Sequence, residues 1–234
     1  MNKGRQFDNF NEHAENYNEI CNNAIGSSGA SRDYYSEYKV LELLKFENTV
    51  GQIKILDFGC GDGNSAIYIR KHFPESSIFG IDVSPKSVHL AEEKGITNTV
   101  FNSFNGEVLP YETEEFDIIF TSMVFHHIEH RLHNDTLKEI FRVLKIGGRF
   151  YNFEHNSNNP FTRKVVRSCE LDKDAVLLKP SYIKKLTKTI GFKIKNLNYT
   201  LFFPRYKIFK IFVRLEKMLT WCPIGAQYYI RAIK

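Results

Sequence analysis

Apolar positions along the chain follow two rhythms. Ile53, Ile55, Leu56 and Phe58 form a short, nearly continuous run, and residues 116–122 (FDIIFTS) form another. Runs of this kind suit parallel strands covered on both faces. Residues 77–83, 97–104, 192–199 and 227–233 read as further strands, and a fifth strand in chain order ends at 155. Between them the spacing is helical. It predicts helices over 65–72 (ended by Pro74), 85–94 (opened by Pro85, stopped by Gly95), 132–144, 160–166 and 182–190 (capped by Ser181, closed by Gly191). Alternating strands and helices predict an α/β fold around a mostly parallel sheet. Ahead of the first strand, Phe7, Phe10, Ala14 and Tyr17 mark a weak helix over 8–20. Gly26-Ser27-Ser28-Gly29 breaks it, and Ser31 caps a second helix over 32–46 bearing Tyr34, Tyr35 and Tyr38.

The first strand runs straight into Gly59, Gly61 and Gly63. Glycine permits positive φ and lets a ligand approach bare backbone. Asn64 and Ser65 are placed to cap the next helix, whose free N–H groups point back at that ligand. Asp57 stands at the strand's carboxyl end, where open α/β sheets bind ligands. The spacing is not G-x-G-x-x-G, because the third glycine comes one residue early, and no G-K-[ST] follows. Asp82 closes the second strand about 20 residues on, the place of a carboxylate that accepts hydrogen bonds from a ribose.

Length and charge narrow the picture. A chain of 234 residues suits one α/β domain with insertions. The polar start MNKGRQFDNF lacks the apolar segment of a signal peptide. No run approaches the roughly 18–20 apolar residues that span a bilayer. Cys21, Cys60, Cys169 and Cys222 are scattered, which predicts neither a disulfide framework nor a zinc ribbon and points to the cytoplasm. Residues 160–234 hold 17 Lys and Arg against 4 Asp and Glu, a net of +13, whereas residues 1–159 carry 15 − 23 = −8. Such segregation suits an anionic partner, or simply a solvated basic surface.

The string D-F-G-C-G-D-G closely resembles motif I of class I methyltransferases that use S-adenosyl-L-methionine. Three further features resemble that family: the segment FNGEVLPYETEEFDIIFTS, the His126-His127 loop, and the run Arg142-Val143-Leu144-Lys145 with Gly147-Gly148. Together they cover about residues 50–155. The resemblance implies a Rossmann-like seven-stranded sheet, mostly parallel, with helices on both faces. Its last strand would be antiparallel, between the fifth and sixth. Residues 1–50 would form a helical lid and 51–234 the methyltransferase domain, with a helical insertion at about 200–225. The cofactor would be held by Tyr17, Asp57, Gly59, Cys60, Gly61, Asp82, Val83, Asn105, Gly106 and Ser122. Asn105 departs from the Asp usual at the adenine contact, although an amide can still reach a base edge.

Substrate chemistry is less legible. His126, His127, His130 and His133 make an H-H-x-x-H-x-x-H run, with His155 nearby in sequence terms at the next strand end. Clustered histidines can bind zinc, but a helical H-E-x-x-H pattern and nearby cysteine are missing, so no metal is expected. Imidazole is suited instead to removing a proton from a hydroxyl or amine. His127, His155 and Glu154 are therefore the candidate catalytic residues; the competing role for Glu154 and Asn156 is capping the helix after Pro160. Residues 205–219 read as an amphipathic helix, with Lys207, Lys210, Arg214 and Lys217 on one stripe and Ile208, Ile211, Phe212, Leu215 and Leu219 opposite. It could roof the active site, the favoured reading, or lie peripherally on a membrane. The expected reaction is methyl transfer to oxygen or nitrogen of a small-molecule acceptor such as a sugar or an anionic, nucleotide-linked compound. Methylation of RNA or of a lipid or quinone, and cofactor binding without catalysis, are the alternatives.

Overall fold

The computed structural model describes residues 11–234. Phe7 and Phe10, and with them the start of the first expected helix, lie outside the described residues. The elements are α1 (Tyr17–Ile25), α2 (Arg32–Leu43), β1 (Lys54–Phe58), α3 (Asn64–His72), β2 (Ser77–Asp82), α4 (Pro85–Glu93), β3 (Thr99–Ser103), β4 (Phe116–Ser122), α5 (His133–Val143), β5 (Leu144–His155), α6 (Pro160–Ser168), α7 (Pro180–Ile190), β6 (Lys193–Thr200), the one-turn α8 (Lys210–Val213) and β7 (Gln227–Ile233). They build one seven-stranded sheet in the order β3-β2-β1-β4-β5-β7-β6. β7 alone runs antiparallel, against both β5 and β6. The expected Rossmann-like sheet is therefore present, with its reversed last strand in the expected place.

The continuous apolar runs follow from burial on both faces. Ile55, Ile118, Phe120 and Tyr151 pack with Leu43 and Ile69 on one side. Leu56, Ile119, Phe150 and Ile230 pack with Leu137, Ile140 and Ile183 on the other. Each such fully buried side chain contributes about 1.5–3 kcal/mol. Register then aligns the strand ends: Phe58 pairs with Ile81 and with Thr121, and Ser122 pairs with Phe153. Asp57, Asp82, Ser122 and Glu154 are carried to one edge of the sheet.

Several local expectations change. Gly63, in the left-handed region, precedes α3 as its N-cap; Asn64 does not cap but donates its amide to Ser36 Oγ at 2.9 Å. α7 begins at Pro180 after Lys179, not at a Ser181 cap. Asn159, not Glu154 or Asn156, caps α6 by accepting from Thr162 N at 3.0 Å. Asn156 instead donates to Pro223 O and Gly225 O at 2.9 and 2.8 Å, tying the end of β5 to the start of β7.

The segment 205–219 is not one helix. It is a 3₁₀ turn, the single turn α8 and a second 3₁₀ turn. Its apolar stripe is not turned inward: Ile208, Ile211, Phe212 and Leu215 are 79%, 68%, 44% and 46% exposed. The expected roof is thus corrected. The buried side chain here is Glu216, which accepts from Phe202 N, Phe203 N and both terminal nitrogens of Arg205. That ion-paired acid sets the orientation, because leaving it buried and unpaired would cost several kcal/mol. Among the described residues, no helix is long and apolar enough to cross a membrane.

Candidate active site

A cavity opens along the carboxyl ends of β1, β2 and β4. It is lined by Gly59, Gly61, Asp82, Val83 and Gly106, by Ser122, Val124, His127, Leu132 and Thr136, and by Tyr17 from α1. Gly59 sits at φ +75°, and a Cβ there would lie 2.4 Å from Val124 Cγ2. Its N–H and that of Cys60 donate to Ile81 O, which fastens the turn to β2. Gly61, at φ +52°, faces open space. Asp82 anchors this turn from across the sheet: Oδ2 accepts from Gly61 N and Oδ1 from Ser84 N, both at 2.9 Å. Burial raises the Asp82 carboxyl above its usual range, and the N–H donors of Ser84, Gly61 and Val83 offset part of that rise. Each oxygen keeps acceptor capacity for a ligand.

Asp57 and Cys60, both expected to hold cofactor, do not line the cavity. Asp57 is 1% exposed and its Oδ2 has no hydrogen-bond partner. Burial, then the neighbouring Asp82 charge, push it up to about 8, with Lys39 pulling the other way. The Cys60 side chain is buried, with Sγ 3.7 Å from Gly61 O. Asn105 is exposed beside the cavity, and its side-chain oxygen accepts from Glu107 N at 3.0 Å. Sequence reasoning passed over two supporting cations. Lys39 of α2 is buried and donates to Ser122 Oγ at 2.9 Å; burial, then Arg32, lower it to about 8. Arg32 clasps Asp62 of the glycine turn, with one bond of 2.9 Å, and lies 4.7 Å from the Tyr17 ring centroid. The clue was present in α2, where Ser36, Lys39, Val40, Glu42 and Leu43 share the buried face, an unusually polar set for a packed helix.

The histidines divide. His127 lines the cavity, from the 3₁₀ turn Phe125–His127 after β4. Burial, then the His126 charge, lower its pKa, keeping the ring neutral, against the pull of Asp172. His126 is buried behind it, with Nδ1 2.7 Å from Glu154 Oε2. Burial opposes the charged ring, but Glu154 and Asp172 outweigh it and raise His126 to about 9. Glu154 is fully buried and also accepts from Phe125 N at 2.8 Å. Its expected place on the substrate side is corrected: it stands behind His126, not in the cavity wall. His155 also lies outside the lining, its ring 5.2 Å from that of His126, and burial followed by the His126 charge lower it to about 4. Asp172, from the 3₁₀ turn after α6, completes the group, held well below the usual carboxylate range because the His126 and His127 rings beside it outweigh its burial. His133 is not a surface residue: Nε2 meets Phe125 O and Ile128 O at 2.9 Å each, and thus braces the turn that bears His126 and His127. His130 stacks on Tyr182.

With this geometry in hand, the comparisons converge. Residues 56–152 match the methyltransferase domain family. The uncharacterized methyltransferase YcgJ of Bacillus subtilis is 30% identical over 117 residues, 48% of this chain and 45% of that protein. A malonyl-[acyl-carrier protein] O-methyltransferase of Herminiimonas arsenicoxydans is 33% identical over 95 residues, 41% of this chain and 34% of that one. The chain thus spans less than half the length of these curated relatives. A S-adenosylmethionine-dependent methyltransferase from Thermotoga maritima superposes with a TM-score of 0.69 at 20% identity, covering 97% of this chain and 99% of its own. A Haloferax volcanii methyltransferase seen with the Trm112 activator gives 0.69 at 17% identity over 96% of each chain. Residues 56–152 thus match the methyltransferase domain family, and the whole chain shares the fold of S-adenosylmethionine-dependent methyltransferases of solved structure. The residues fit that cofactor. A bare-backbone turn at Gly59 and Gly61 and the two oxygens of the Asp82 carboxylate supply a close approach and acceptors of the required kinds, while Asp57 lies buried beneath them.

Proposed function

We propose that the protein transfers a methyl group from S-adenosyl-L-methionine to an oxygen or nitrogen of a small-molecule acceptor bound beside His127. The observation that carries this reading is the continuity of the cavity. The glycine turn and Asp82 line the same cavity as Ser122, His127, Leu132 and Thr136. Donor and acceptor would share one enclosure, where alignment alone can lower a barrier by several kcal/mol. The cofactor supplies an electrophilic methyl group on a sulfonium.

The chain's own residues do the rest. Gly59 and Gly61 allow close approach, and Asp82 offers two acceptor oxygens to the ribose. Lys39 holds Ser122 in the cavity wall. Val124, Ile128 and Leu132 give the acceptor end apolar walls that exclude water. His127, with Asp172 3.3 Å from its Nε2, is the polar group that meets the acceptor and draws on its proton. Acceptor screening by mass spectrometry tests the reading: a product heavier by one methylene supports it. A chain that binds cofactor yet methylates no member of a broad hydroxyl and amine panel would favour a binding-only role.

A further inference from the structure

Behind the cavity wall at His127, three ligand-type side chains from two distant parts of the chain converge on one point. His126 Nε2 lies 3.6 Å from Asp172 Oδ1, and His127 Nε2 lies 3.3 Å from the same oxygen. The three donor atoms are all within 4.8 Å of one another. Around a tetrahedral ion with bonds of about 2.0–2.2 Å, neighbouring ligand atoms stand roughly 3.3–3.6 Å apart. Two edges of the cluster have that length.

A second observation is independent of this spacing. His126 Nε2 is buried and has no hydrogen-bond partner, on a side chain 1% exposed. At 3.6 Å, Asp172 is beyond hydrogen-bond reach of it. The other ring nitrogen is occupied, because Nδ1 gives its proton to Glu154 at 2.7 Å. A carboxylate behind one imidazole nitrogen orients the ring and enriches the other as a ligand, the usual support of a metal-bound histidine. Glu154 is itself pinned by Phe125 N, so the orientation is rigid.

We propose that His126, His127 and Asp172 form a divalent transition-metal site, with Glu154 as the positioning residue behind His126. Two imidazoles and a carboxylate suit zinc and its neighbours and leave a coordination position open. Because His127 lines the cavity, an ion that it held would lie beside the proposed acceptor. The ion would polarise an acceptor hydroxyl, narrowing the acceptor class from oxygen or nitrogen to hydroxyl. With His127 then holding the ion in place of acting as the base, the O–H bond breaks and the proton passes to water. The oxygen pair then forms the new O–CH₃ bond as the S–CH₃ bond breaks and its pair returns to sulfur. This catalytic clause rests on the methyl-transfer reading above; the metal site itself does not.

The test uses the full chain without a histidine tag, stripped of metal and titrated with Zn²⁺ by calorimetry, with Co²⁺ absorption as a second probe. The site predicts one Zn²⁺ per chain at micromolar or tighter affinity and the visible bands of four-coordinate Co²⁺. Asp172→Ala should weaken Zn²⁺ binding at least 100-fold, and Glu154→Gln about 10- to 100-fold. Asp172→Asn, checked for a native melting transition, guards against loss through misfolding. Absence of stoichiometric uptake, or uptake surviving Asp172→Ala, overturns the site and leaves His126 as a protonated bridge between two carboxylates. Zn²⁺ binding without any methyl transfer would sink the functional reading but keep the site. Full methyl transfer in chelator-treated protein that takes up no Zn²⁺ would do the reverse.

Discussion

Glu154 Oε2 and His126 Nδ1 stand 2.7 Å apart, with both side chains shut away from solvent. An ionised carboxylate only accepts, so the proton lies on Nδ1. This pair joins β5 to the turn after β4 and fixes which face His127 presents to the cavity. Removing one partner of a buried pair costs about 3–5 kcal/mol, since the other is stranded. Glu154→Ala should therefore lower urea-unfolding stability by that amount. Glu154→Gln, which keeps an acceptor for Phe125 N, should cost clearly less. Equal losses would show that the charge alone carries the contribution and the retained acceptor for Phe125 N none of it.

Gly59 is the tightest point of the glycine turn. An added Cβ meets Val124 Cγ2 at 2.4 Å, at a backbone φ of +75°. The left-handed conformation costs a non-glycine residue about 1–2 kcal/mol. Overpacking adds about 1–3 kcal/mol. Gly59→Ala should be destabilised by both. Combining it with Val124→Ala should recover only the packing part, a positive coupling readable in a double-mutant cycle.

The Arg32–Asp62 pair gives a pH signature. Burial alone would raise the Asp62 carboxyl, but the Arg32 bond and charge hold it down at about 2. A depressed carboxylate stabilises the fold above its unfolded pKa of about 3.9 and loses that contribution as pH falls toward its folded value. The contribution at pH 7 is about 2 kcal/mol, and about half of it remains at pH 3. The stability gap between wild type and Asp62→Asn should narrow accordingly. A gap independent of pH would mean that the bond is held by geometry, not charge.

The sheet was legible because its signals are local. A strand buried on both faces must be apolar throughout, and 116–122 and 227–233 match β4 and β7 residue for residue. Asp82 was legible for the same reason, since a strand end followed by Pro85 fixes where its side chain stands. What failed depends on pairing across the chain. The 205–219 pattern is amphipathic, yet Glu216 seeks Arg205 and turns inward, leaving the apolar residues outside. Asp172 has no periodic neighbour to announce it, lying in an irregular connection 45 residues beyond His127. Glu154 is an acid within an apolar strand, and only the register of β5 against β4 shows that it faces His126 and not the cavity.

The central claim is that the Gly59–Asp82 end of the cavity holds S-adenosyl-L-methionine. Calorimetric titration with that compound tests it directly, in wild type and in Asp82→Asn. Charge-assisted hydrogen bonds contribute about 1.5–3 kcal/mol each, so the account predicts one site per chain and a loss of at least 10-fold in affinity on substitution. Absence of binding, or undiminished affinity in Asp82→Asn, would contradict it.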